Sequence, residues 1–325
     1  MQRYPVETVS ALAEAACRAC GAGQDMARSL TRASLSASRV GRHEVGLAHL
    51  VDHLHSLREG RINGAARPGI DSPAPALIRV DADGGIAQHG FDLVFDDLVQ
   101  RAQTFGLALL AQHNTYPAGE LGYFARRLAE VGLVGLSAGN AHALMAVAAG
   151  GGKVFSTNPL AFAAPLADGR LPLVIDQASS ATAFVNILRA AEAGTTLPEG
   201  WALDDQRRPT TDPKAAMAGA LLPFGGYKGA NIALMVEVLA AGLTGGRWSM
   251  DTGHFLTGDA SPGGGMVVLA LSPTLCAPDF ADRLTVHLDR LAALGLHIPG
   301  QSRAPEGWVE ADPKVIATLE RLSHP

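Results

Sequence analysis

The sequence predicts an α/β protein with a helical N-terminal region. From about residue 76 short apolar runs alternate with helix-like stretches, whereas helical spacing dominates the first 60 residues. The composition agrees: 325 residues, 47% hydrophobic and 18% charged, hold enough apolar side chains for one large core or two interleaved ones.

Taken in order, Met26, Leu30 and Ala33 repeat at helical spacing, and Leu47, Leu50, Val51, Leu54 and Leu57 form a second apolar stripe. Gly21 and Gly60 stand where helices end, because glycine takes the left-handed conformation without a Cβ clash. "ALIRV" (76–80) reads as a strand, 92–105 as a helix, "LALLA" (107–111) as a strand, 119–131 as a helix and "LVGLSA" (133–138) as a strand. "LPLVID" (171–176) and "MVVLAL" (266–271) are further strands, followed by a helix over 279–294. Between them "LPEGWALDDQRRPTTDP" (197–213) is a polar, turn-rich connection.

Net charge is −5 with no Lys/Arg run, which argues against nucleic acid and anionic membrane as partners. The N-terminus shows no basic segment leading into an apolar one, and the run 230–243 is interrupted by Asn231 and Glu237 and too short to span a bilayer. Three cysteines make no disulfide framework, so a reducing cytoplasm is expected.

Several stretches bear on chemistry. "GRHEVGLAHL" (41–50) holds His43-Glu44, but a zinc helix needs a second histidine where Leu47 stands. His49 and His53 are four apart and could chelate, yet no third ligand is visible, so no metal is expected. "CRAC" (17–20) lies late in a helical stretch rather than at a helix start, which favours small core residues over a redox pair. No Gly-x-Gly-x-x-Gly follows a strand, and "GGGKVF" (150–155) lacks P-loop spacing. "PFGGYKGANIALMVEVLAAGLTGG" (223–246) could hold a phosphate at a helix start beside Lys228, or be a tight turn with an exposed lysine. Asp176 closes an apolar strand, where it could face a ligand crevice or cap the following helix. "HNTYPAGELGYF" (113–124) sets His113, Asn114 and Tyr116 on a loop after a strand.

In family order along nearly the whole chain, "LREGRING" (57–64), "STNPLAFAAP" (156–165), "LVIDQASSATA" (173–183), the 197–213 and 221–246 stretches and "IPG" (298–300) resemble the malate/L-lactate dehydrogenase family. This family is unrelated to Rossmann lactate dehydrogenases and includes ureidoglycolate and sulfolactate dehydrogenases and Δ1-piperideine-2-carboxylate reductases. The resemblance implies a family-specific, non-Rossmann NAD(P)-binding sheet flanked by helices, in a homodimer. We divide the chain into a helical region 1–75 packing with the C-terminal segment 286–325, and a cofactor- and substrate-binding α/β region 76–285. By the same resemblance, Thr157, Asp176, Gln177, Ala178 and Lys228 contact the cofactor, with NADP(H) favoured over NAD(H), and Asn158 lies near the nicotinamide.

The resemblance also exposes a departure. Members usually carry Ser-His-Gly at the start of the third helix and His-Phe-Gly in a later loop, both with active-site histidines. Here those histidines fall on Val45 and Pro117, and a common arginine becomes His49. His43 and His113 stand a few residues upstream of the lost positions and are the acid/base candidates, with Glu44, His49, Tyr116 and Asn158 around the substrate. The implied activity is hydride transfer between a nicotinamide and a small 2-oxo acid/2-hydroxy acid or cyclic 2-imino acid. A cofactor-binding protein with a sensing role is the alternative, and a zinc hydrolase a third.

Overall fold

The computed structural model describes residues 1–324. At the N-terminus β1 (Gln2–Pro5) runs into α1 (Val6–Ala19), α2 (Gln24–Arg39), a 3-10 turn (His43–Val45) and α3 (Leu47–Arg58). The chain returns to this region at its end: β14 (Trp308–Ala311) pairs antiparallel with β1, and α11 (Pro313–Leu322) packs on α1 and α3. Val9, Ala13, Leu30, Leu50, Leu54, Ile316 and Leu319 form their common core. Cys17 and Cys20 are buried in it, and burial pushes the Cys17 thiol up to about 12, so it behaves as a small apolar side chain.

The main sheet has seven strands: β2 (Gly69–Ala74), β3 (Leu77–Asp81), β4 (Leu107–Thr115), β13 (Gly264–Leu271), β5 (Val134–Gly139), β8 (Leu160–Ala164) and β9 (Leu173–Gln177), in that spatial order. Only β3 and β4 are parallel, and the connection between them is α4 (Ala87–Phe105), the crossover that parallel neighbours require. That helix begins five residues earlier than the apolar pattern predicts. One face of the sheet packs on α4 and α5 (Gly122–Glu130) through Ile78, Val80, Phe91, Leu98, Leu110, Phe124 and Val268. The other face packs on α8 (Tyr227–Glu237) and the π-helical turn that extends it, through Ala138, Val236, Ala240 and Val267.

A smaller five-stranded sheet joins β6 (Met145–Ala146), β7 (Lys153–Phe155), β10 (Ala202–Leu203), β11 (Pro209–Thr210) and β12 (Ala220–Leu221). Against it lie α6 (Phe184–Ala193) and α7 (Pro213–Ala218) around Ile187, Leu197 and Leu221. The polar stretch 197–213 is therefore a hairpin within this sheet. A short α9 (Pro273–Cys276) and α10 (Phe280–Ala293) complete the chain. Among the described residues no helix is long and apolar enough to cross a membrane.

Candidate active site

The site is built outward from α3. Gly46 lets the start of this helix press on α2: the Leu47 N–H donates to Ser38 Oγ at 2.9 Å, and a Cβ at position 46 would overlap that hydroxyl and come within 2.9 Å of the Ser34 carbonyl oxygen. Leu47, Leu50, Leu54 and Leu57 then turn into the core. A second stripe, His49, His53 and Ser56, faces the segment after β4, where the fully buried Tyr116 hydroxyl meets Ser56 Oγ at 2.9 Å.

The two histidines of this stripe differ. His53 is buried; its Nδ1 is 2.9 Å from the His49 carbonyl oxygen and its Nε2 has no partner. Burial, then the neighbouring His49, pushes the His53 pKa down to about 3, so it is neutral with Nδ1 as donor. His49 keeps 16% of its side chain exposed and sets Nδ1 at 3.0 Å from Asp52 Oδ2. Burial alone would raise the Asp52 carboxyl, but the His49 hydrogen bond and the charges of His49, His53 and His55 hold it below its ordinary value. Facing the ionised Asp52 carboxylate, His49 Nδ1 is the donor of this hydrogen bond.

Opposite stands Phe255, whose carbonyl accepts from Arg61 Nε at 3.0 Å and from the Tyr116 hydroxyl at 3.2 Å. Its ring lies 6.0 Å from His49, 5.3 Å from His142 and 5.4 Å, stacked, from His254. His142 and His254 are 4.3 Å apart between ring centroids. Neither nitrogen of the buried His142 has a hydrogen-bond partner. Burial, then the charges of His254 and Lys153, brings its pKa down to about 4, and burial with Lys153 and Arg61 lowers His254 in the same direction.

The third edge is the end of β9. The Asp176 carboxylate accepts the Gly122 N–H at 2.9 Å at the start of α5, while Arg42 donates to its backbone carbonyl at 3.0 Å. Burial raises the Asp176 pKa, and the Gly122 N–H only partly offsets this. Nearby, Glu120 and Arg126 form a buried bidentate pair at 2.8 Å for both bonds. Ser179 donates its N–H to the Thr157 carbonyl at 2.8 Å and accepts the Phe224 N–H at 3.1 Å, so the Thr157 turn, the end of β9 and the approach to α8 converge. Gly225 and Gly226 have φ of 56° and 65°, conformations that favour glycine, with open space where a Cβ would stand. No side chain caps α8, and Lys228 is exposed in its first turn. Free N–H groups beside a lysine fit a phosphate-bearing cofactor.

The structure sorts the residues expected from sequence. Asp176 does not cap the helix after it, because α6 starts only at Phe184 and the carboxylate is used by α5. Gln177 and Ala178 follow it beside the Thr157 turn. Asn158 is wholly buried, and its amide donates to the Ala233 carbonyl and to Glu237 Oε2, both at 2.8 Å, so its side chain ties the Thr157 turn to α8. Glu44 is paired with Arg189; burial would raise its carboxyl, but that hydrogen bond leaves it below its ordinary value. His43 lies on the 3-10 turn with Nδ1 buried and unpartnered. His113 is not on a loop: β4 continues to Thr115, because its register opposite β3 and β13 is not yet exhausted. That register sets His113 across from Asp81, with Nε2 3.8 Å from Oδ2. Among the described residues no hydrogen bond or ring contact joins His113 to His43 or to the other histidines.

His49 and Tyr116 are brought together, and sequence reasoning missed what surrounds them: Asp52, Arg61, His142, His254 and Phe255. The i, i+3 spacing of His49 and Asp52 was the available signal. Among the described residues no group of three or more His, Cys, Asp or Glu could hold a metal ion.

Comparison with known proteins identifies the family. A model of the malate/L-lactate dehydrogenase family matches residues 4–307. The Δ1-pyrroline-2-carboxylate/Δ1-piperideine-2-carboxylate reductase of Pseudomonas putida is 37% identical over 326 residues, covering 98% of this chain and 95% of that protein. The NADP(+)-dependent (2R)-3-sulfolactate dehydrogenase of Chromohalobacter salexigens is 37% identical over 298 residues, 90% of this chain and 88% of that one. The crystal structure of Δ1-piperideine-2-carboxylate reductase from Pseudomonas syringae pv. tomato superposes with a TM-score of 0.92 at 32% identity, covering 99% of this chain and 100% of that chain. With the fold and the match over nearly its full length in agreement, the chain belongs to the malate/L-lactate dehydrogenase family and is an oxidoreductase.

Proposed function

We propose that this protein is an NADPH-dependent reductase whose preferred substrate is a small cyclic 2-imino acid of the Δ1-pyrroline- or Δ1-piperideine-2-carboxylate type, with small 2-oxo acids as the second substrate class. The observation that carries the reading is the likeness to the Pseudomonas putida reductase over 98% of the chain. It is supported by Val45 and Pro117, which stand where the family's acid histidines are expected. A cyclic imine can arrive as an iminium and so needs an enzyme acid less than a ketone does.

A bound reduced nicotinamide supplies the hydride. The start of α8 with Lys228, the Thr157 turn and residues 176–178 would hold the dinucleotide, and the NADP(+) relative supports NADPH over NADH. Lys153, whose charge reaches both His142 and His254, gives the wall beside Phe255 a positive lean suited to a carboxylate. His43 and His113 stand as acid/base candidates to be tested. A homodimer is part of the reading: Leu234, Met235, Val238 and Leu243 on and after α8 are large, apolar and exposed, which a second copy would cover. We place the protein in the cytoplasm, on the three unpaired cysteines.

The test is NADPH and NADH oxidation with Δ1-pyrroline-2-carboxylate, Δ1-piperideine-2-carboxylate, pyruvate, oxaloacetate and sulfopyruvate. Fastest turnover on the imines with NADPH is the expected result. Turnover of 2-oxo acids alone, as the likeness to the sulfolactate enzyme allows, would replace the first substrate class with the second. Tight NADPH binding without turnover of any of them would favour the sensing role.

A further inference from the structure

Resting on that reading, we propose that in the reduction of a 2-oxo acid the proton is carried by His49, held by Asp52 as its positioning residue, in place of the two histidines that Val45 and Pro117 have displaced. Position 49 is on the crevice stripe of α3, and the ring is gripped at one nitrogen only. Nδ1 lies 3.0 Å from the Asp52 carboxylate, and among the described residues Nε2 has no protein partner. Nε2 is also absent from the buried, unpartnered atoms, in contrast to Nε2 of His53, Nδ1 of His43 and both nitrogens of His142. A ring fixed at one nitrogen by a carboxylate, with the other reachable, is the arrangement a positioned acid/base needs.

The surroundings locate this ring where the displaced histidines are expected to act. A Cβ on Gly119, two residues after Pro117, would stand 3.4 Å from His49 Cδ2 and 3.4 Å from the Val45 carbonyl oxygen. The Val45 carbonyl and Gly119, two residues after Pro117, therefore meet beside the His49 ring. Phe255 closes the other side at 6.0 Å. Of the other candidate histidines, His53 is sealed, His113 lies 3.8 Å from Asp81 outside hydrogen-bond distance, His142 and His254 have no carboxylate partner among the described residues, and His43 has a buried orphan Nδ1.

The titratable groups around His49 are Asp52, His53 and His55 on its own helix and Tyr116 across from it. Glu120 follows Gly119 but is tied to Arg126, and His142 stands behind Phe255. In the reduction, hydride adds to C2 of the substrate and the C=O or C=N π pair moves to oxygen or nitrogen. The Nε2–H bond of the His49 imidazolium breaks and its proton goes to that atom. Neutral His49 remains, Nδ1–H toward ionised Asp52, and solvent restores the second proton. An iminium substrate needs no such donation, since the π pair returns to a nitrogen that already bears its proton.

The test compares His49→Asn, Asp52→Asn, His43→Ala and His113→Ala on pyruvate and on Δ1-piperideine-2-carboxylate, with NADPH binding measured directly by fluorescence. Expected is a fall in kcat of roughly 10²–10⁴-fold on the ketone in His49→Asn, with a much smaller fall on the imine and unchanged NADPH affinity. In Asp52→Asn the high-pH limb of the ketone pH–rate profile should move to lower pH by about one unit, because the imidazolium loses its counter-charge. Histidine NMR of the intact protein reads the same shift without substrate, in the His49 ring titration. A His49 titration indifferent to Asp52→Asn overturns the dyad even in an enzyme whose substrate is neither compound. Ketone turnover within about threefold of wild type in His49→Asn, or a collapse in His43→Ala or His113→Ala instead, overturns the assignment of the proton. Wild-type turnover on neither compound, with the NMR shift present, overturns the substrate reading and withdraws the catalytic role from His49.

Discussion

The two walls of the crevice treat ionisable side chains in opposite ways. On the α3–α5 side most are matched: His49 with Asp52, Arg61 with Glu59, Arg126 with Glu120, the Asp176 carboxylate with an amide of α5, while the sealed His53 has no charged partner. On the Phe255 side His142 and His254 face each other without a carboxylate, near the cations Lys153 and Arg61. Partners set protonation at the matched groups of the first wall, whereas burial and like charge set it on the second wall and at His53. A matched wall holds its geometry across a wide pH range, and an unmatched one keeps its histidines neutral until acid forces a charge on them.

The largest effect should come from breaking the matched wall at its most buried pair. Arg126→Met leaves the Glu120 carboxylate buried and unpaired, and urea denaturation should show a loss of about 3–5 kcal/mol. A loss under about 1 kcal/mol would mean that Glu120 simply takes up a proton, and the contrast between the walls would weaken.

Acid should act next, on both walls. His53, sealed behind the first wall, has its pKa depressed to about 3, so the unfolded chain binds its proton first as pH falls below about 6.5. Stability therefore drops with acid, by about 2 kcal/mol from this one group between pH 7 and pH 5, and the loss continues toward pH 3. The depressed His142 acts with the same sign, so His142→Phe should flatten the stability profile between pH 6.5 and its own pKa of about 4. An unchanged slope in that variant, followed by thermal denaturation across this range, would show that the second wall is not held neutral.

Steric contact offers a third test. Gly46→Ala puts a Cβ against Ser38 and Ser34, and should cost about 1–3 kcal/mol and lower turnover as well, because the start of α3 carries His49. Unfolding curves and steady-state rates on the same preparation read both. The smallest effect is expected at Lys228, which is exposed and pairs with no carboxylate among the described residues. Lys228→Ala should weaken NADPH binding about tenfold or less and leave stability within about 0.5 kcal/mol, as titration calorimetry and melting would show.

Much of this was readable in the chain itself. The strands at 77–81, 107–111, 134–138, 173–176 and 266–271 announce themselves as apolar runs between turn residues, and Leu47, Leu50, Leu54 and Leu57 place one face of α3 in the core. The small sheet was not readable, because strands of two residues such as Met145–Ala146 and Ala202–Leu203 are too short to show alternation. His113 looked like a loop residue for a related reason: a strand continued by pairing with neighbours on both sides carries no apolar signature of its own. The His49–Asp52 pair is local and could have been found by reading α3 for polar spacing as well as apolar.

The sequence by itself determined the α/β class, the family and the loss of two histidines from their usual places, since these rest on residue type, period and order along the chain. Only the tertiary structure decided which remaining histidine is free to act. Asp176 is answered by Gly122, Asn158 by Glu237, Phe255 by Arg61, and His142 by His254, all distant in the chain. Burial and a partner's charge fix a side chain's protonation, and both are properties of what folds next to it rather than of what precedes it.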